Sequence, residues 1–245
     1  MKQAHRMPPR MLELFSGENA SLSKAFAALG WECHTLDFNK KLVPPPTYCI
    51  DILEWDYKAF PRDYFRHVHA SPDCRMYSRC RTVGHRDLFS ADCWSQRAAD
   101  IIKYFAPAAS YSVENPALGK YTLEKRGIMD EFTHHLVSYC KFESPHHPYK
   151  KDTSIWCDLP VVFPGPCRKG DRCSIYNEAL NQHPTTAQRG GAKFRRPGHT
   201  FYENDISHRL EVLHSLPPRL CAEIARAATQ RVLLEPQPQA PASLD

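Results

Sequence analysis

The chain is predicted to fold as an α/β protein, with a doubly wound, mostly parallel, Rossmann-like sheet and a small insert that zinc could hold. Three observations carry that prediction. Short apolar runs alternate with segments of helical periodicity from residue 11 to residue 159, the order that builds βαβ units. The first apolar run ends in Phe15-Ser16-Gly17, and an acid, Asp37, closes the second, where such sheets form their ligand crevice. After Pro160 the periodicity gives way to a polar stretch rich in Gly and Pro that lasts to about Ser207.

In order, Met11 to Phe15 reads as a strand, followed by a Ser-Gly turn and a helix with Leu22, Ala25, Phe26 and Leu29 on one face. Gly30 is the natural stop for that helix. "ECHTLDFNK" gives a second strand ending at Asp37, "TYCIDILEWD" a third short element ending near Asp51, and Tyr64 to Ala70 a fourth strand. "SADCWSQRAADIIKYFAP" places Trp94, Ala98, Ile101, Ile102 and Phe105 on one stripe. This is a helix with Asp92 as N-cap and Pro107 as terminator. "SYSVENP" is a strand, "LEKRGIMDEFTHHL" a helix, and "VSYCKF" and "TSIWCDLP" further strands. "LPPRLCAEIARAATQRVLLE" closes the domain as a helix with prolines in its first turn. The expected organisation is a flexible N-terminus at 1–10, a catalytic domain at 11–159 plus 208–235, an insert at 160–207 and a disordered tail at 236–245.

With 245 residues, 42% hydrophobic and 24% charged, the chain has the means to bury one sizeable core. The N-terminal "MKQAHRMPPR" lacks an apolar signal region and no run of 18 apolar residues occurs. The expectation is a soluble intracellular protein without membrane contact, a monomer or small homo-oligomer. Its ten cysteines are spread through strand-like and helix-like segments, which favours thiol or metal chemistry over a disulfide framework.

The net charge of +5 is mild, but its distribution favours a polyanion. Between Gly165 and Thr200, Arg168, Lys169, Arg172, Arg189, Lys193, Arg195 and Arg196 are opposed only by Asp171 and Glu178. Arg75, Arg79, Arg81 and Arg86 form a second basic cluster just after Cys74. In "HVHASPDCRMYSRCR" the proline ends the strand, so Cys74 is placed at the rim of the sheet, within reach of a ligand.

The crevice residues narrow the cofactor. Gly17 allows a tight turn and close backbone approach, and Asp37 can accept both hydroxyls of a ribose. There is no second or third glycine of a dinucleotide fingerprint, and Glu18 and Asn19 stand where a pyrophosphate wants bare backbone. An adenosyl ligand without phosphates fits better. Leading into and through the insert, Cys157, Cys167, Cys173 and His183 follow the frame C-x9-C-x5-C-x9-H, donors suited to a structural tetrahedral zinc in a segment too polar to fold around a core.

Taken together, "LELFSGENASLSKAF", "ASPDC", "VENP" and "YCKFESPHHPYKKDTSIWCDLP" resemble, in family order, the cofactor loop, the Pro-Cys loop, the Glu-Asn motif and the later Gln/Arg-bearing motif of the DNA cytosine-5 methyltransferases. The likeness is nearer to short phage and large-virus members, with a weaker echo in "SLPPRLCAEIARA". The resemblance implies S-adenosyl-L-methionine as cofactor, DNA as partner, and the nucleus or cytoplasm of a host cell if the protein is viral. RNA stays open, since nothing distinguishes a 2′-hydroxyl. It implies Cys74 as the nucleophile that adds to cytosine C6 and Glu114 as the group holding N3 and N4. Asp37 would bind the ribose, Asp51 and Ile52 the adenine, and Phe15, Ser16 and Gly17 the methionine side and its surroundings. Lys150 and Lys151 stand where the family presents arginine to the pyrimidine O2. Arg75, Arg79, Arg81, Arg189, Arg195 and Arg196 would contact nucleic acid, with neighbouring arginines and turn amides activating the thiol.

The usual Pro-Pro-Cys is Pro-Asp-Cys here, and Asp73 opposes thiolate formation. Two other readings therefore stand beside this one. In an N4 or N6 amino-methyltransferase an aromatic residue would be expected in the place of Cys74. A catalytically inactive, nucleic-acid-binding protein could keep the fold as a scaffold.

Overall fold

The computed structural model describes residues 7–79, 81–106, 108–142, 149–168, 170–171, 173–178, 183 and 214–235. Seven strands form one sheet: β1 (Arg10–Leu14), β2 (Glu32–Asp37), β3 (Tyr48–Cys49), β4 (His67–Ala70), β5 (Ser110–Pro116), β6 (His134–Ser138) and β7 (Asp152–Cys157). Their order is β3-β2-β1-β4-β5-β7-β6. β1 to β5 pair in parallel. β7 lies antiparallel between β5 and β6, because the chain returns from β6 without a helical crossover, and a parallel pairing needs one. The sheet is thus mixed, with a parallel body and one reversed strand.

Helices cover both faces. α1 (Ser21–Ala27) and α3 (Pro218–Leu234) lie on one side, where Met11, Leu22, Phe26, Val137, Ile155, Leu220 and Ile224 share a core cluster. α2 (Leu88–Phe105) lies on the other, where Ala98, Ile101, Ile102 and Phe105 meet Leu12, Leu14, Val68 and Val113. Alternation along β1 explains the split, with Met11 and Glu13 facing α1 while Leu12 and Leu14 face α2. No helix among the described residues is long and apolar enough to cross a membrane.

The predicted stripe of α2 is the buried one, but the helix begins earlier than expected. Asp87 is its N-cap, accepting from Ser90 N at 3.0 Å, a bond worth roughly 1 kcal/mol. Asp92 instead lies within the helix, paired with Arg126 and accepting from Tyr77 Oη at 3.0 Å. The helix expected over "LEKRGIMDEFTHHL" does not form. Only a 3₁₀ turn, Leu123–Lys125, appears, ahead of Gly127 at φ 75°. Met129 and Phe132 pack into the α2-side cluster from the turns that follow. The strand expected from Val137 starts at His134, and Tyr139–Phe142 turns as 3₁₀.

A polar ladder crosses the buried face of β4 and β5. His67 Nδ1 and Nε2 contact Ser110 Oγ and Ser112 Oγ at 2.8 and 3.0 Å, and His69 Nδ1 and Nε2 contact Ser112 Oγ and Ser71 Oγ at 2.8 and 2.9 Å. The alternation in "HVHA" and "SYS" places these four side chains on one face. They end at Ser71, where the Cys74 turn begins.

Candidate active site

The crevice forms at the carboxyl ends of β1 to β4. Phe15, Asp37, Asp51 and Ile52 line it, joined by Leu36, Phe38, Ile50, Asp73 and Trp94. Four of the six residues expected to bind cofactor thus share one cleft. β1 leaves the sheet sharply, with Phe15 at φ 59°, Gly17 at φ 56° and Ala20 at φ 40°. Left-handed backbone at two non-glycine residues is strain that the surroundings must hold. Asp37 helps hold it, accepting from Gly17 N at 3.0 Å and Asn39 N at 2.9 Å. Glu13, buried in β1, accepts from Leu22 N and Ser23 N at 3.3 and 2.8 Å and so anchors the start of α1. Asp51 accepts from Leu53 N at 2.9 Å. A roomier hollow between α1 and α3, bordered by Lys24, Leu29, Cys221 and Arg226, gathers none of these carboxylates.

Beside the crevice, the chain leaves β4 through Ser71-Pro72-Asp73 into the turn that carries Cys74. Hydrogen bonds fix this turn. Asn115 Nδ2 donates to Pro72 O at 2.9 Å, Ser78 N donates to Cys74 O at 2.8 Å, and the buried Tyr77 bonds α2 through Asp92 and Ser95. The Asn of "VENP" therefore holds the loop of the cysteine, and its neighbour Glu114 on β5 lies within electrostatic reach of Cys74. Glu114 is 6% exposed. Its Oε1 accepts from Tyr139 Oη at 2.9 Å and from Lys151 Nζ at 3.2 Å, and Oε2 takes neither bond. Lys151 Nζ also lies 4.7 Å from the Tyr139 ring.

These charges set the state of the thiol. Burial pushes Cys74 up to about 11; Lys151 opposes the rise, while Glu114 and Asp73 add to it. Burial alone would also raise Asp73, but the hydrogen bonds and charge of Arg75 hold it below the usual carboxylate range. For Lys151, burial pulls downward, but Glu114, Tyr149 and Cys74 together outweigh it, so the ammonium persists above the ordinary lysine range. At the rim His214 faces Lys151, Asp73, Glu114 and Arg75, and desolvation followed by Lys151 lowers its pKa.

The basic residues expected to contact nucleic acid divide. Arg75 forks onto Asp73, with Nη2 to Oδ2 at 2.6 Å. Arg81 Nη2 donates to His85 O at 2.6 Å, and Arg86 braces the loop through the carbonyls of Met76, Ser78 and Arg81. Arg79 is exposed. Lys151 leads the charges that favour the thiolate, and Arg75 also acts on Cys74. Lys150 and Lys151 point to different places, since Lys150 Nζ donates to Cys167 O at 2.6 Å. Arg189, Arg195 and Arg196 lie outside the described residues.

The expected zinc ligands need one correction. Cys167, Cys173 and His183 come together, but their fourth neighbour is Cys140. Cys157 ends β7 inside the α1/α3 cluster, so its sulfur serves the core.

Sequence reading also missed Tyr139, Trp94 and His214. Tyr139 falls in a run whose pattern predicts only a strand, His214 in a segment without clear periodicity, and Trp94 on an apolar helical stripe.

A doubly wound sheet with one reversed strand, a carboxylate-lined crevice and a thiol turn at its strand ends defines an α/β fold of the methyltransferase class. No protein-family model matches the chain. Over 179 residues it is 32% identical to a protein of Frog virus 3 (isolate Goorha) named "Probable DNA (cytosine-5)-methyltransferase", a match covering 67% of this chain and 77% of that protein. The chain belongs to the DNA (cytosine-5)-methyltransferase family.

Proposed function

We propose that the protein transfers a methyl group from S-adenosyl-L-methionine to C5 of cytosine in DNA through a covalent adduct between Cys74 and C6. The observation that carries this reading is the convergence of Cys74, Glu114 and Lys151 beside the crevice. The crevice suits the cofactor. Asp37, Asp51 and Asp73 give it a carboxylate character that repels phosphates and favours a cationic sulfonium and ammonium, and Phe15, Ile52 and Trp94 offer apolar surface to an adenine. When bound, the cofactor supplies an electrophilic methyl group.

C5 of cytosine is a poor nucleophile. Attack of the Cys74 thiolate on C6 pushes electron density to C5, which then takes the methyl group; loss of the C5 proton and of the thiolate restores the ring. Glu114 would hold N3 and the exocyclic amine and offset the charge that develops on the ring. Lys151 would favour the thiolate and keep Glu114 in place. With a resting thiol near 11, only about 0.03% is thiolate at pH 7.5, so activation belongs to the complex with substrate.

DNA carrying 5-fluorocytosine tests this reading. Fluorine at C5 does not leave as a proton does, so the wild-type protein should be trapped in a denaturant-resistant complex that requires the methyl donor. Cys74→Ser should fail to trap, and Glu114→Gln should trap far less while keeping cofactor affinity. Methylation of an exocyclic amine without trapping would refute the proposal.

A further inference from the structure

Behind the crevice, four donors meet that the proposed reaction does not use. Cys140 Sγ, Cys167 Sγ, Cys173 Sγ and a ring nitrogen of His183 all lie within 4.8 Å of one another. His183 Nε2 is 3.1 Å from Cys173 Sγ and 3.5 Å from Cys167 Sγ. A tetrahedral zinc with Zn–S near 2.3 Å and Zn–N near 2.0–2.1 Å spaces its ligand atoms about 3.5–3.8 Å apart. The gathered atoms need only small shifts to meet one ion.

Hydrogen bonds and an ion pair brace the residues around them. Cys167 N donates to Ser138 Oγ at 2.8 Å, Ser138 Oγ donates to Asp152 Oδ1 at 2.5 Å, and Cys167 O accepts from Lys150. Lys141 pairs with Asp171 at 2.9 Å. Tyr176 sets its ring edge-on to His183 with centroids 5.6 Å apart. Cys140 and Cys167 are buried, whereas Cys173 and His183 are partly exposed, which leaves an entry side.

We propose that Cys140, Cys167, Cys173 and His183 bind one structural zinc ion that clamps the segment after β7 onto the turn following β6. Four protein ligands leave no open position for water, so the ion serves architecture. That turn also bears Tyr139, the neighbour of Cys140 and the donor to Glu114. The clamp therefore secures one wall of the active site as well as the insert.

The test uses the full-length protein purified under reducing conditions without chelator, analysed for metal and thermal stability. About one zinc per chain is expected, and chelation should lower the melting temperature. Cobalt substitution should give the intense visible absorption and thiolate-to-metal charge transfer of a tetrahedral S₃N site. Cys140→Ser should lose the metal, whereas Cys157→Ser should retain it. If Cys140→Ser does not fold, the partly exposed His183→Ala serves instead, with zinc affinity reduced at least about 100-fold. A metal-free protein whose cysteines titrate as free thiols would overturn the proposal. So would a folded protein whose zinc affinity is unchanged by Cys140→Ser or His183→Ala, or falls with Cys157→Ser. None of these readouts depends on methyl transfer.

Discussion

Replacing Lys151 with methionine tests the electrostatics of the site directly. Lys151 Nζ lies 3.2 Å from Glu114 Oε1, with side chains 11% and 8% exposed. At that separation two unit charges attract by about 5 kcal/mol at an effective dielectric of 20. Lys151→Met removes one partner and leaves a buried carboxylate whose remaining support is Tyr139 Oη. Breaking a buried pair in this way costs about 3–5 kcal/mol, a large part of the roughly 5–15 kcal/mol that holds a domain folded. The charge left behind, rather than the lost lysine contacts, dominates that cost. Glu114→Gln added to Lys151→Met should therefore recover at least about 2 kcal/mol, a strong coupling in a double-mutant cycle. The assay is urea unfolding of the four proteins. A loss below about 1 kcal/mol, or no recovery in the double variant, would refute the pairing as the organising contact of the site.

The ladder of His67 and His69 sets an acid limit on stability. Burial holds both rings neutral, with His69 lowered to about 3. The unfolded chain binds protons near the ordinary histidine pKa of about 6.5, so their contribution is present above that pH and is lost as pH falls below it, with a slope approaching about 1.4 kcal/mol per pH unit per ring. Denaturant midpoints unchanged from about pH 7 to pH 4.5 would contradict this. Alkylation of Cys74 in the free protein, followed at its own peptide by mass spectrometry, should rise about tenfold per pH unit through pH 9; a plateau below pH 9 would show a thiol already activated. Asp37→Ala should weaken S-adenosyl-L-methionine binding by about 1.5–3 kcal/mol, through the lost charge-assisted bond and the freed Gly17 turn. Unchanged affinity by calorimetry would remove Asp37 from the site.

Local signals carried much of this protein into view before its fold was known. The periodicity of β1, β2, β4, β5 and α2, the proline after β4 and the order of Cys74 and Glu114 depend on near neighbours in the chain, so sequence alone determined them. Four of the cofactor residues likewise follow from a general rule, since parallel strands open their crevice at the carboxyl ends. Contacts between distant segments were decided only by the tertiary structure. The reversal of β7 depends on pairing between β5 and β6, and the failure of the 123–136 helix on a glycine turn and on burial of Met129 and Phe132. Lys150 and Lys151 are adjacent in sequence yet serve different neighbours, because successive side chains of an extended chain point to opposite sides. The same geometry exchanged Cys157 for Cys140: spacing along the chain suggested the first, but β7 buries it in the core, while the turn after β6 delivers Cys140 to Cys167, Cys173 and His183.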